Sequence, residues 1–307
     1  MNNIKKIPLF KQRGFHLFLL TLPFIVLVFV LSYLPLRGWA FAFFDYRPGR
    51  PLTSQYFVGF HYFTSMIADQ FMREDIIRVM RNTFVMSGLG ILGSPLPMIL
   101  AMFLNEIKIS PFKRVTQTLI TIPNFISWVL VYAVAYAMLS VGDGFVNRMI
   151  QYFGGTPINF LASSNNVWVT MWAYEIWKGV GWGTIIYFAA LSGIDQEQYE
   201  AARIDGAGRF ACMWHITLPG LLPTYFVLLI LSIGHLISNN LEQFMMFQNP
   251  MNRPHIEVLD LFVYNQGIGR LNYAYATAVG VLKSLVSITL LFIANSLSKL
   301  FREESLF

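Results

Sequence analysis

Long apolar stretches recur along the chain and are separated by polar, often charged segments. A helix needs about 20 consecutive apolar residues to cross the hydrocarbon core of a bilayer. Six stretches have this length, and each predicts a membrane-spanning helix: 16–36, 82–104, 116–140, 167–191, 221–239 and 274–298. The pattern therefore predicts an all-α integral membrane protein built as a six-helix bundle.

Composition agrees with lipid as the main solvent. Of the 307 residues, 55% are apolar and 12% are charged, which is about half the charged fraction of a soluble domain. The net charge of +6 does not indicate nucleic-acid binding, because basic residues flank membrane spans for topological reasons. The single cysteine, Cys212, excludes an internal disulfide and a cysteine-based metal site.

The first apolar run follows several basic residues and is too long for a cleavable signal. It extends from 14 to 36, whereas the apolar part of a signal peptide has about 7–15 residues. We therefore expect a cytoplasmic segment at 1–15, a six-span domain at 16–298 and a cytoplasmic tail at 299–307. In this orientation the cytoplasmic segments carry a small excess of Lys and Arg, which the positive-inside rule favours.

Span four combines aromatic and charged side chains. One helical face carries Trp168, Trp172, Glu175, Gly179 and Trp182. Glu175 and Lys178 are three residues apart and are expected to pair, which would lower the cost of intramembrane charge. Flat aromatic rings beside a carboxylate suit sugars, whose ring faces stack while their hydroxyls form hydrogen bonds. Two interpretations remain open: a substrate path through Trp172, Glu175 and Lys178, or bundle packing around a structural ion pair.

Polar residues also lie at the outer end of span five and inside span six. His235, Asn239 and Glu242 have the spacing i, i+4, i+7, which predicts a stripe facing protein or water, with Gln243 beside it. Both interface solvation and a place in the substrate path fit this stripe. Lys283, near the middle of span six, is expected to meet either the span-four carboxylate or an anionic group of a substrate.

The loop between spans four and five, 193–219, predicts two short helices. Asp195 is a suitable N-cap, and Gln198 occupies the position that a capping box requires. Glu197 lies in the first turn, where the helix dipole favours an anion. Gly206 then permits a sharp reversal of the chain.

The second helix of this loop is expected to be short and to end at Pro219. Four of its residues share one face at helical spacing: Phe210, Met213, Trp214 and Thr217. An apolar face outside the membrane is a typical interaction surface. The loop therefore predicts a docking site for a cytoplasmic partner.

The same loop carries a motif. Glu200-Ala201-Ala202 is followed after three residues by Gly206 and after nine more by Ile216-x-Leu218-Pro219, which is the complete spacing of the EAA motif. Further similarities are Pro35 to Pro48 (PLRGWAFAFFDYRP), Asn105-Glu106, Thr121-Ile122-Pro123 and Asp205-Gly206-Ala207. On these residues the chain resembles the permeases of binding-protein-dependent ABC importers, within them the LplB-like branch for oligosaccharides and polysaccharides.

The resemblance implies the type I ABC importer transmembrane fold, with both termini cytoplasmic, in a multi-pass subunit of the cell (cytoplasmic or inner) membrane. In that family the loop forms coupling helices that insert into a cleft of the ATPase, where Glu200 would pair with a basic residue and Gly206 would supply the turn. The implied ATPase-coupling residues are Glu200, Ala201, Ala202, Asp205, Gly206, Ile216, Leu218 and Pro219.

The resemblance also implies partners. These are a second related permease, two cytoplasmic ATPase subunits and an external solute-binding protein, in addition to the lipid bilayer. ATP and Mg would be bound by the ATPase subunits, and this chain would bind no cofactor.

The motifs that are missing from the sequence point away from an enzyme. It contains no phosphate-binding loop G-x-x-x-x-G-K-[ST], no zinc-binding H-E-x-x-H and no nucleophile elbow G-x-S-x-G. The sequence therefore predicts a non-catalytic permease for a saccharide. The alternatives are an ABC permease for a non-sugar solute and a secondary transporter, which would show inverted repeats and would need no docking loop.

Overall fold

The computed structural model describes residues 13–162 and 166–302. Within these ranges the regular structure is helical, apart from one isolated antiparallel bridge between Phe44 and Phe57. The α-helices are α1 Arg13–Val28, α2 His61–Ala68, α3 Gln70–Gly93, α4 Leu96–Asn105, α5 Ser110–Phe125, α6 Trp128–Leu139, α7 Phe145–Tyr152, α8 Val167–Leu191, α9 Gln196–Ile204, α10 Arg209–Cys212, α11 Leu218–Gly234, α12 Leu241–Phe247, α13 Arg253–Ile256, α14 Leu259–Tyr264 and α15 Tyr273–Arg302. The all-α fold class is confirmed, whereas most of the predicted segments 1–15 and 299–307 lies outside the described residues.

Four helical stretches in the described ranges are long and apolar enough to cross a membrane, or five if α5 and α6 form one bent span. The four are Leu17–Phe43, Gln70–Asn105, Arg209–Gly234 and Tyr273–Ser296. The predicted fourth span, α8, has the length of a span with 25 residues, but its tryptophans, glycines and two charges make it less apolar. It packs against five helices, α3, α4, α5, α11 and α13. The count of six spans therefore stays a prediction.

The predicted third span is not one straight helix. α5 and α6 meet at 98°, and the two residues between them, Ile126 and Ser127, have extended backbone. Pro123 lies in the last turn of α5, and the Ser127 hydroxyl caps α6 by accepting from the Leu130 N–H at 3.4 Å. The break leaves carbonyls at the end of α5 without helical partners.

The fifth span differs from its prediction at both ends. α10, a π-helical stretch Met213–Thr217 and α11 form one continuous helix, so Pro219 does not end the second coupling helix. The π-helical ladder directly before Pro219 accommodates a residue that lacks a backbone N–H. At the other end α11 stops at Gly234. The predicted stripe of His235, Asn239 and Glu242 on one helix is therefore wrong.

A cluster of buried apolar residues joins the coupling loop to the bundle. Met213 of the loop and Leu221 of α11 are buried against Met98 of α4 and Tyr187 of α8, with Ile194 packed against them. The loop is therefore anchored to two central helices of the bundle.

Candidate functional site

Two cavities lie beside α8, and several predicted path residues line them. Cavity A, about 460 Å³, is bounded by α3, α4, α8 and α11 and is lined by Trp172, Glu175 and His235 among others. Cavity B, about 420 Å³, lies at the α5–α6 break and is lined by Glu175, Lys178 and Glu242. Because Glu175 and Gly179 line both cavities, the carboxylate lies where the two spaces approach each other.

Lys178 does not pair with Glu175, so the predicted ion pair is wrong. Its ammonium donates to the carbonyl oxygens of Pro123 at 3.3 Å and Asn124 at 2.6 Å and lies 5.5 Å from the centre of the Trp128 ring. The break after α5 supplies these carbonyls, and they bind the ammonium in place of the carboxylate. Glu175 has no hydrogen bond or ion pair with any residue in the described ranges.

The predicted aromatic face of α8 serves several different purposes. Trp168 donates its indole N–H to the His255 carbonyl at 2.8 Å and therefore fixes an outer segment. Trp182 is half exposed and packs edge-on against Phe125. Trp172 lines cavity A, and its buried indole N–H has no partner among the described residues. Of the three tryptophans, Trp172 is the one that lines a cavity, while its indole N–H is buried against Gly93.

Trp172 packs closely against Gly93 at the end of α3. A Cβ atom at Gly93 would lie 3.0 Å from the Trp172 Nε1 atom and 3.3 Å from Ile176. The missing side chain therefore lets α8 approach the end of α3 closely.

Asn239, Gln243 and Lys283 belong to the packed bundle rather than to the two cavities. The Gln243 side chain is fully buried and donates to the Met171 carbonyl at 2.7 Å. Asn239 donates its side-chain N–H to the Ser87 hydroxyl at 3.3 Å. Their predicted place in the path is not supported, because the end of α11 at Gly234 redirects this segment.

Lys283 has a partner that the sequence did not reveal. It forms an ion pair with Asp260 and also donates to the Ser238 hydroxyl at 3.2 Å. Asp260 in turn accepts from the Asn239 backbone N–H at 2.8 Å. The expected contact of Lys283 with Glu175 is therefore wrong, and the pair with Asp260 fixes the segment that follows α11.

A fully buried carboxylate, Glu257, joins α3, α13 and the segment after α14 and was also not predicted. It accepts from Arg78 and Arg253, each at 3.0 Å, and from the Asn265 amide at 2.9 Å. Burial by itself raises the pKa of Glu257, but the hydrogen bonds and charges from Arg253, Asn265 and Arg78 outweigh it and hold the pKa below its usual value. Glu257 is therefore an ionised structural centre.

The first half of the coupling loop, 193–219, has the helix cap and the turn that its sequence predicts. The Asp195 carboxylate caps α9 by accepting from the Glu197 N–H at 3.0 Å, and Gly206 has φ +85°, a left-handed conformation suited to glycine. The Tyr199 hydroxyl lies 3.0 Å from the Thr217 hydroxyl and links the two coupling helices. Glu200 is exposed on the surface of α9.

The predicted face of the second coupling helix is buried at two of its four residues and exposed at the other two. Met213 and Thr217 are buried, whereas Phe210 and Trp214 are 77% and 68% exposed. Ile204, at the end of α9, is 86% exposed. Three large apolar side chains of the loop that carries Glu200 are therefore available for contact.

The remaining motif residues surround this exposed surface. Ala201, Asp205, Gly206 and Pro219 are exposed, and Ala202, Ile216 and Leu218 are partly buried. No group of His, Cys, Asp and Glu in the described ranges is arranged to hold a metal ion.

Comparison with known proteins identifies the family. Residues 93–303 match the model of the binding-protein-dependent transport system inner membrane component. Protein LplB of Bacillus subtilis (strain 168) is 42% identical over 297 residues, which cover 96% of this chain and 92% of that protein. The polygalacturonan/rhamnogalacturonan transport system permease protein YteP of the same organism is 38% identical over 302 residues, with coverages of 98% and 92%.

A solved structure has the same fold. The structure of a bacterial alginate ABC transporter, in complex with an alginate pentasaccharide-bound periplasmic protein, contains a chain that is 30% identical to this one. The two superpose with a TM-score of 0.84 over 96% of this chain and 97% of that chain. The resemblance that the EAA motif indicates is thus confirmed over nearly the whole length. The chain belongs to the family of binding-protein-dependent transport system inner membrane components, the non-catalytic permease subunits of ABC importers.

Proposed function

We propose that this chain forms, with a second permease subunit, the path for a saccharide delivered by an external binding protein. The observation that carries the proposal is cavity A, whose lining contains the aromatic side chain of Trp172 and the Glu175 carboxylate, which has no partner in the described ranges. Ring stacking with directed hydrogen bonds is the chemistry that sugars require. The names of YteP and of the alginate transporter, which both refer to polysaccharides, support this choice of solute.

The coupling loop is the surface that would receive the ATPase. Glu200 is exposed on the same loop as the exposed apolar side chains of Ile204, Phe210 and Trp214, so the loop presents both an anion and apolar surface. Such a combination suits a cleft with a basic residue and apolar walls. Two ATPase subunits would carry ATP and Mg, and their closure would move this loop and switch the access of the cavities by rigid-body motion.

The membrane arrangement is part of the proposal. Six spans with both termini cytoplasmic would place the coupling loop inside the cell and the Glu257 segment outside. The stretch Leu17–Phe43 has an apolar surface, and its most apolar window contains no buried side chain. Lipid and the second permease are the expected contacts of this surface.

The path is tested by Trp172→Ala in the assembled transporter with its receptor protein. We expect uptake to fall while receptor-stimulated ATP hydrolysis and complex yield are retained, because the coupling loop is unchanged. Trp177→Ala is a matched control, since Trp177 lies on the same helix, is half exposed and lines neither cavity. Normal uptake by Trp172→Ala would show that this residue only packs.

The coupling role is tested by Glu200→Lys, which presents a cation to a basic cleft. We expect transport and receptor-stimulated ATP hydrolysis to be lost while the chain still inserts into the membrane. Glu197→Lys is a suitable control, because Glu197 is also exposed on α9 but lies outside the motif. Full uptake by Glu200→Lys at normal expression would contradict the assignment.

A further inference from the structure

A third cavity lies between α5 and α8 on the side of the coupling loop. Cavity C has a volume of about 590 Å³, within the range of about 300–1,000 Å³ that small-molecule sites have. Its lining includes Gln117 and Thr121 of α5, Phe188 of α8 and Gln196, the first residue of the coupling helix α9. One wall of the cavity therefore belongs to the coupling loop.

The crossing of α5 and α8 separates cavity C from cavity B. A Cβ atom at Gly181 would lie only 1.9 Å from the Ile120 carbonyl oxygen, so the two backbones touch at this point. Lys178, one turn before Gly181 on α8, lines cavity B, and Thr184, one turn after it, lines cavity C. The two cavities thus follow one another along a single helix pair.

The two faces of α5 differ in polarity. Lys113, Gln117, Thr121 and Asn124 recur at helical spacing, and each lines cavity B or cavity C. On the opposite side the apolar residues Val115, Leu119 and Ile122 are exposed. Because a polar stripe cannot favourably face lipid, the cavity side of α5 must face protein, water or a solute.

Cavity C has hydrogen-bonding side chains that other residues in the described ranges leave without partners. The amide side chains of Gln117 and Gln196 form no hydrogen bond with other residues in the described ranges. The Thr121 hydroxyl donates to the Gln117 and Thr118 carbonyls of its own helix, so its oxygen remains available as an acceptor. The ammonium of Lys113 donates to the Asn105 side-chain oxygen at 3.0 Å and lies 5.9 Å from the centre of the Phe188 ring, so it retains N–H donors for a solute.

The lining residues also supply an aromatic ring and lack acids. Phe188 lies against the cavity, and none of the residues that line it is Asp or Glu. Amides, hydroxyls, the Lys113 ammonium and one ring can form hydrogen bonds and an apolar contact with a saccharide. We infer that cavity C is a second saccharide subsite, which the solute occupies after passing the Gly181–Ile120 crossing on its way to the cytoplasm. This inference rests on the proposed function.

Chemical protection in the assembled transporter tests the subsite directly. Thr121→Cys places a thiol in cavity C, and Thr116→Cys is the matched control on the same helix, since Thr116 is equally half-buried but lines none of the cavities. The native Cys212 is buried and gives a low background. With ATP and a receptor loaded with its oligosaccharide, we expect maleimide labelling of Thr121→Cys to slow several-fold while that of Thr116→Cys is unchanged.

The possible outcomes separate this inference from the proposed function. Equal labelling of Thr121→Cys with and without saccharide, while Trp172→Cys is protected, would overturn the subsite but leave the saccharide path intact. If neither thiol is protected, both proposals fail. As a second readout, Gln117→Leu should lower uptake about five-fold, the effect of one net hydrogen bond, with receptor-stimulated ATP hydrolysis retained. Normal uptake by this variant would also contradict the subsite.

Discussion

Two carboxylates in this protein, Glu257 and Glu175, differ in the number of protein groups that bind them. Glu257 is fully buried and receives hydrogen bonds from two arginines and an amide. Glu175 lines two cavities and has no partner among the described residues. A buried charge is tolerated when it is paired and hydrogen-bonded, whereas an unpaired charge needs water or a ligand. The first carboxylate therefore builds the structure, and the second is available to a solute.

The largest expected effect is the loss of the Glu257 network. Glu257→Ala leaves Arg78 and Arg253 without their shared anion, and breaking a buried ion pair in this way costs about 3–5 kcal/mol. We expect a strongly lowered thermal midpoint in detergent and reduced complex yield. Glu257→Gln keeps the shape and part of the hydrogen bonding, so it should cost less. Equal stability of Glu257→Ala and the wild type would show that the network is not structural.

The same network should make stability depend on pH. Since the pKa of Glu257 is lowered in the folded protein, its stabilising contribution is present above the pKa of the unfolded chain and is lost as pH falls through the folded pKa. Thermal midpoints between pH 7 and pH values below about 4, near the ordinary pKa of Glu, should fall more steeply for the wild type than for Glu257→Gln. Parallel pH profiles would exclude Glu257 as the cause.

Loss of the Asp260–Lys283 pair should have an intermediate effect on stability, because each side chain is about one fifth exposed. Asp260→Ala leaves the Lys283 ammonium without its anion and should cost about 2 kcal/mol, less than a fully buried pair. Adding Lys283→Met removes the unpaired cation and should recover part of this loss. A double variant less stable than Asp260→Ala would show that Lys283 is held by other groups.

The smallest effect on stability is expected at Glu175. Because Glu175→Gln removes a charge that has no protein partner in the described ranges, the unfolding free energy should change by less than about 0.5 kcal/mol, as for substitutions that remove no structural contact. Uptake should nevertheless fall, since the carboxylate lines both cavities. A destabilisation as large as that of Glu257→Ala would remove the distinction between the two carboxylates.

Local signals in the sequence were sufficient to predict the first helix and the turn of the coupling loop. The Asp195 cap and the Gly206 turn depend on neighbours within a few residues, and both have the predicted geometry. The predicted end of the second coupling helix at Pro219 was wrong, because proline normally limits a helix and the π-helical stretch before it was not visible in the pattern. Short-range rules therefore describe this loop well up to that point.

The cavities required information that the sequence pattern does not carry. Spacing alone put Lys178 beside Glu175, but carbonyls freed by the α5–α6 break, 54 residues away in sequence, bind it instead. Similarly, Lys283 meets Asp260 only because the chain folds back after α11. Such partners are set by tertiary packing. The sequence identified Trp172 and Glu175 as candidates but did not separate them from Asn239 and Gln243.

The continuous helix Arg209–Gly234 has a mechanical consequence. Its 26 residues span about 39 Å at a rise of about 1.5 Å per residue, with the coupling loop at one end and the wall of cavity A near the other. Tilting such a rod by about 5° around one end displaces the opposite end by about 3 Å, roughly the width of a water molecule. A small push on the Arg209 end would therefore shift the part of this helix that lines cavity A beside Tyr225 and His235.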